Sequence, residues 1–214
     1  MSNKIRLDII SDVVCPWCIV GFNHLNAAIE ALGIQDKVDI QWQPFELNPD
    51  MPEEGEELRE HFARKYGSTK ADSDRARANI TQAGANYGFE FNYYDGMKIV
   101  NTFDAHVLLD YAHSVGKQMP LKLRLFSAFF TEQKDVSKRD VLIEQAAAVG
   151  ISEQEALVAL NNDEIKQRVR AHQAQWQQLG VSSVPTVVFN RSSALTGAQP
   201  QEVFEQVLKE LVEA

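Results

Sequence analysis

Cysteine is scarce in this chain: Cys15 and Cys18 are the two it has in 214 residues. That scarcity excludes a small secreted scaffold held by disulfides. It also excludes a zinc site built from paired Cys-x-x-Cys turns, which needs four ligands. His24, His61, His106, His113 and His172 show no paired ligand spacing that would complete one, so no metal is expected. Positive charge is in deficit as well. Lys and Arg number 21 against 30 Asp and Glu, and the formal charge of −9 argues against a nucleic-acid or anionic-membrane surface. Glycine (11) and proline (7) are too few for a low-complexity or fibrous chain. The uncharged stretch from Val13 to Leu25 is too short to span a bilayer, so no membrane partner is expected. Asp8 and Asp12 interrupt the apolar residues near the N-terminus, and no small-residue cleavage site follows. A cytoplasmic location is the expectation, where thiols are mostly kept reduced.

What is present centres on Cys15-Pro16-Trp17-Cys18. Ile5 to Ile10 alternates like a strand, and Ile19 to Leu32 has helical spacing. A Cys-x-x-Cys pair at a strand-to-helix junction points to redox chemistry. First-turn N–H groups lack intrahelical partners and the helix dipole is positive there, so a thiol in that place favours its thiolate. Pro16 suits the first turn because it has no N–H to satisfy. Cys18, Phe22, Leu25, Ile29 and Leu32 fall on one apolar stripe. The expectation is an accessible Cys15 that attacks and an inward Cys18 that resolves the mixed disulfide. A structural disulfide across so short a loop would stabilise little.

Val38, Ile40 and Trp42 alternate with polar residues as a second strand, parallel to the first through a right-handed crossover. Phe45 to Pro52 reads as a loop, and about Glu54 to Gly180 as helices almost throughout. Asn101 is expected as a cap. Ser137 with Asp140, and Ser152 with Glu155, resemble capping boxes. Ile165, Val169, His172, Trp176 and Leu179 form a stripe ended by Gly180, with His172 expected as a hydrogen-bonded core residue. Thr186 to Phe189, a turn, Ala194 to Thr196 and a helix opened by Pro200 complete the chain. This order predicts an α/β thioredoxin-like fold from residues 1–53 and 181–214, split by an all-helical insertion over 54–180. Pro185 lies at the entry of the late strand, where a proline is tolerated because it cannot donate to the ladder.

Five segments, in order, carry a resemblance. They are Cys15 to Cys18, Phe45-Glu46-Leu47-Asn48-Pro49, Asn101 to His106, Val184-Pro185-Thr186 and Gly197-Ala198-Gln199-Pro200. Together they resemble the DsbA-like thioredoxin family, and within it the FrnE-like group related to 2-hydroxychromene-2-carboxylate isomerases. The resemblance implies dithiol–disulfide exchange on protein or peptide thiols and disulfides through a redox-active Cys15–Cys18 disulfide. No cofactor is bound, and a thioredoxin or glutathione system recycles the pair, with glutathione a candidate co-substrate. It further implies a cis Pro185 facing the cysteines, and a Val184 backbone that takes an extended substrate peptide as an added strand. Trp17 stands where DsbA has histidine, so DsbA's strongly oxidising character is not implied. Pro16, Trp17, Val184 and Pro185 are the expected substrate contacts, with His106 and Asn101 as candidate cleft residues. Two other readings are a glutathione-dependent isomerase of a small aromatic or polyketide-like molecule and a non-enzymatic peptide-binding module.

Overall fold

A computed structural model describes residues 4–213. The chain opens with strand β1 (Ile5–Ser11), helix α1 (Pro16–Leu32) and strand β2 (Val38–Pro44). β1 and β2 pair in parallel, from Ile5 opposite Val38 to Ser11 opposite Pro44. At the other end of the chain, β5 (Thr186–Phe189) pairs antiparallel with β1 and with β6 (Ser193–Thr196). The sheet order is β2-β1-β5-β6, and the terminal helix α9 (Gln201–Glu213) packs on α1. Alternation divides the strand side chains between two faces. Leu7 and Ile9 join Leu25, Ile29, Phe204 and Leu208 in the main core. Ile10 and Val188 instead meet Phe45 and Trp176 in a second cluster.

Between β2 and β5 the chain forms α2 (Leu58–Tyr66), α3 (Lys70–Ala85), α4 (Phe103–Ser114), α5 (Gln118–Phe126), α6 (Arg139–Ala148), α7 (Glu153–Asn161) and α8 (Asp163–Gln178). The insertion is not wholly helical, as the sequence pattern suggested. A two-residue ladder joins β3 (Glu56–Glu57) to β4 (Lys98–Ile99). Ahead of β4, Phe89, Phe91 and Tyr93 alternate, and both Phe91 and Tyr93 pack edge-on to Phe130. Those aromatic contacts favour an extended path over another helical turn. The main core runs without a break from the sheet into these helices.

Local detail departs from the sequence pattern at three places. The cap expected at Ser137 and Asp140 does not form, because Asp135 accepts from both the N–H and the hydroxyl of Ser137. α6 starts two residues later. His172 is not a core residue: its side chain is 42% exposed and lies 4.0 Å from Asp110. Spacing of four from Ile165 and Val169 leads to Gln173, which takes the buried place. Leu179 lies beyond the end of α8, where the chain turns at Gly180, and is 67% exposed. The reciprocal cap of Ser152 and Glu155 is formed.

Gly21 fixes how closely α1 approaches the late loops. A Cβ there would come 3.1 Å from Pro185 and 3.2 Å from the Ala198 backbone. A Gly21→Val substitution is expected to overpack this junction and cost about 1–3 kcal/mol of unfolding free energy, read from urea denaturation. An unchanged midpoint would mean that the contact is loose.

Candidate active site

Cys15 is the N-cap of α1, in an extended conformation (φ −94°, ψ 110°), with Pro16 opening the first turn. Its side chain makes no capping bond, and no acidic residue occupies that turn. The positive end of a 17-residue helix therefore faces the Cys15 sulfur without a competing carboxylate. Cys18 sits one turn further in, its N–H donating to the Cys15 carbonyl at 3.1 Å. Both thiols are free, unbonded to each other. Cys18 is fully enclosed, and burial pushes its pKa well above the ordinary value; its contacts with Cys15 add to this, while Lys122 opposes it. Cys15 is also buried, at 4% exposure, which corrects the expectation of an open thiol. On its flank the Val184 carbonyl lies 3.8 Å from Cys15 Sγ, and Tyr93 lies near it as well.

The Val184–Pro185 peptide bond is cis. The Pro185 carbonyl accepts from Gly197 N–H at 2.7 Å, and the Gln199 carbonyl lies 2.8 Å from His24 Nδ1 on α1. Gly197 has φ +84°, a conformation that side chains rarely adopt. These bonds hold Pro185 between α1 and the turn before α9. Trp17 stands at the surface beside the pair, 42% exposed.

Beneath the thiols is a cluster that sequence reasoning missed in large part. Asp12, between β1 and the Cys-Pro-Trp-Cys turn, is 1% exposed. Its backbone carbonyl accepts from Cys15 N–H at 3.2 Å. One carboxylate oxygen accepts from Leu47 N–H at 2.8 Å, and the other lies 3.3 Å from His106 Nε2. His106 is thus buried on the far side of Asp12 from Cys15, where it lines the larger cavity between the inserted helices and the sheet. Burial alone would raise the Asp12 pKa, but the His106 bond and charge, the Leu47 N–H and Lys122 outweigh it and hold it low. Lys122 on α5 is 1% exposed, its ammonium 5.2 Å from the Trp42 ring centre and 5.0 Å from that of Phe126. Burial lowers its pKa to about 8, against the pull of Cys18, Asp12 and Cys15. One signal was legible: Lys122 shares a helical face with Phe126 and Phe129, at spacings of four and seven.

On the outer side of Cys15 a cavity of about 120 Å³ is lined by Val14, Pro16, Phe62, Ile80, Tyr93 and Phe130. Arg77 also lines it, and its Nε and one terminal nitrogen are buried with no hydrogen-bond partner among the described residues. Burial and then Arg59 lower the Arg77 pKa. The Tyr93 phenol is held protonated, mainly by burial and in part by the nearby Cys15. Asn101 stands apart from this group. Its Oδ1 accepts from Phe103 N–H at 2.9 Å at the start of α4, and its amide reaches Met51. Six of the eight expected site residues therefore cluster at the start of α1; His106 joins them through Asp12, and Asn101 does not.

The model of the DSBA-like thioredoxin domain matches residues 6–209, and the chain belongs to that family. It is similar to a "probable DsbA oxidoreductase" from Streptomyces coelicolor, at 29% identity and a TM-score of 0.91 over 97% of this chain and 89% of that one. An uncharacterized protein of Bacillus subtilis, YwbO, is 24% identical over 96% of each chain. The cytosolic disulfide reductase DsbM from Pseudomonas aeruginosa shares the fold, with a TM-score of 0.67 and 21% identity over 98% of this chain and all of that one. DsbM has also been solved with glutathione. The chain is thus a DsbA-like thiol oxidoreductase by family. Among the described residues no helix is long and apolar enough to cross a membrane.

The low Asp12 pKa sets a pH dependence. Its carboxylate stabilises the fold above the unfolded value of about 3.8 and loses that contribution as pH falls through the folded value. Asp12→Asn is expected to cost about 1–3 kcal/mol at neutral pH. The gap to wild type in denaturant titrations should shrink on acidification below about 3.8. A gap independent of pH would contradict the assignment.

Proposed function

We propose that this protein is a cytoplasmic thiol–disulfide oxidoreductase that exchanges disulfides with protein or peptide substrates through Cys15 and Cys18. The observation that carries the reading is the placement of Cys15 at the N-cap of α1, 3.8 Å from the Val184 carbonyl, with Cys18 one turn behind it. In the reducing direction the Cys15 thiolate attacks one sulfur of a substrate disulfide. A new S–S bond forms, the substrate S–S bond breaks, and the departing thiolate takes up a proton. Cys18, deprotonated in the same step, attacks Cys15 and releases the second substrate thiol. Substrate gains two electrons and the protein is left as the Cys15–Cys18 disulfide. Two thiols of glutathione or a reduced thioredoxin restore it, and the reverse flow oxidises a dithiol substrate.

Each other residue has a physical task in this scheme. The Val184 backbone offers hydrogen bonds to an extended peptide, and Trp17 supplies exposed aromatic surface beside it. Lys122 supports the Cys18 thiolate, which burial disfavours. The DsbM relatives support glutathione as recycling partner and the cytoplasm as location.

The outer cavity favours a second reading. Its apolar lining, unpaired Arg77 and protonated Tyr93 suit a small aromatic or polyketide-like substrate isomerised with glutathione. The two readings separate on the cysteines. Dithiol exchange requires both, whereas an isomerase using glutathione's own sulfur survives Cys15→Ser with Cys18→Ser.

The test is equilibration of the purified protein with glutathione over a range of redox poise, with mass spectrometry of the products. Wild type should pass from dithiol to disulfide in one two-electron step. Cys18→Ser should accumulate a mixed disulfide at Cys15, and Cys15→Ser should accumulate far less. No exchange at any poise would refute the proposal.

A further inference from the structure

A second, larger cavity of about 370 Å³ lies between the inserted helices α4, α5 and α8 and the four-stranded sheet. That volume is in the range of small-molecule sites. Its lining reverses the charge balance of the chain. Arg6, Lys122 and Arg191 line it against one carboxylate, Asp110, whereas the whole chain has 21 basic and 30 acidic residues. Arg6 is answered by the buried Asp8 at 2.8 Å, and Arg191 more weakly by the same carboxylate at 3.7 Å. Lys122 is 1% exposed and makes no ion pair or hydrogen bond among the described residues. Asp12 is within electrostatic reach of it but forms no pair. A buried ammonium with no contact ion pair is costly even with a carboxylate within reach, and aromatic faces offset only part of that cost. Two indole side chains, Trp42 and Trp176, contribute to the same walls. Cation, aromatic surface and enclosure thus converge on one space.

We propose that this cavity binds a small planar aromatic carboxylate, with its anion against Lys122 and its ring against the tryptophan walls. The ligand is not a substrate of the dithiol, so the proposal goes beyond the oxidoreductase reading and stands without it. The site is nevertheless wired to the thiols. His106 and Lys122 line the cavity, His106 reaches Asp12 at 3.3 Å, and Lys122 acts on Cys18. An anion bound at Lys122 withdraws positive potential from any thiolate the reduced pair forms, and leaves the neutral disulfide untouched. The carboxylate therefore binds the disulfide form more tightly than the dithiol form. By reciprocity, it lowers the midpoint potential by an amount set by the logarithm of that affinity ratio.

The test uses 2-naphthoate and its uncharged counterpart 2-naphthamide in isothermal titration calorimetry. Wild type, and the Cys15→Ser/Cys18→Ser protein, should both bind naphthoate saturably and bind the amide at least about tenfold more weakly, the worth of a charged hydrogen bond. Lys122→Met should lose at least about the same factor for naphthoate. Ala194→Trp, which fills the exposed rim of the cavity, should abolish binding and carries the test if Lys122→Met does not fold. In wild type, disulfide and dithiol forms should differ in naphthoate affinity. No saturable binding, equal affinity for acid and amide, undiminished binding in a folded Lys122→Met protein, or identical affinity in both redox forms would overturn the proposal.

Discussion

The placement of Asp12 is the constraint on which the rest of this site depends. Asp12 is buried where β1 ends, and three parts of the fold converge on it. Its backbone carbonyl holds the Cys15 N–H, one side-chain oxygen holds the Leu47 N–H beyond β2, and the other meets His106 on α4. A buried carboxylate is tolerated only when such partners satisfy it. The site thus forms when the sheet, the β2 loop and the inserted helices are all in place. The insertion therefore builds part of the site's surroundings: it supplies His106 and Lys122 from below and Tyr93 and Arg77 from the side.

In the proposed reaction the two thiols divide their work by position in one helix. Cys15 has the helix dipole before it and a neighbouring carbonyl beside it. Cys18 has hydrophobic packing around it and a cation within reach. Burial and a nearby cation act in opposite directions on a thiol, so Cys18 is kept protonated yet close to a charge that helps it ionise. That balance suits a step in which Cys18 must react only after Cys15 has done so.

Much of the fold could be read along the chain because its signals are local. Strand alternation in β1, the apolar stripe of α1 and the short apolar run of β5 each fixed an element without help from elsewhere. The thiol pair was equally legible, since its spacing and its strand-to-helix setting lie within one segment. What could not be read depends on distant contacts. Asp12 looked like one more polar interruption, and nothing local marks its meeting with His106, 94 positions away. The burial of Cys15 likewise involves a distant neighbour, since Val184, against its sulfur, comes 169 residues later. Residues 89–93 depart from the mainly helical pattern of the insertion because Phe91 and Tyr93 pack on the distant Phe130. Arg77 gave no sign either, since an exposed and a stranded arginine look alike in sequence.

The most direct test of this account compares the reactivity of the two thiols. Iodoacetamide alkylation rates are measured at neutral pH for Cys15 in the Cys18→Ser protein and for Cys18 in the Cys15→Ser protein. The account predicts that Cys15 reacts at least about tenfold faster, because thiolate character governs the rate and burial suppresses it at Cys18. Equal rates, or a faster Cys18, would contradict it.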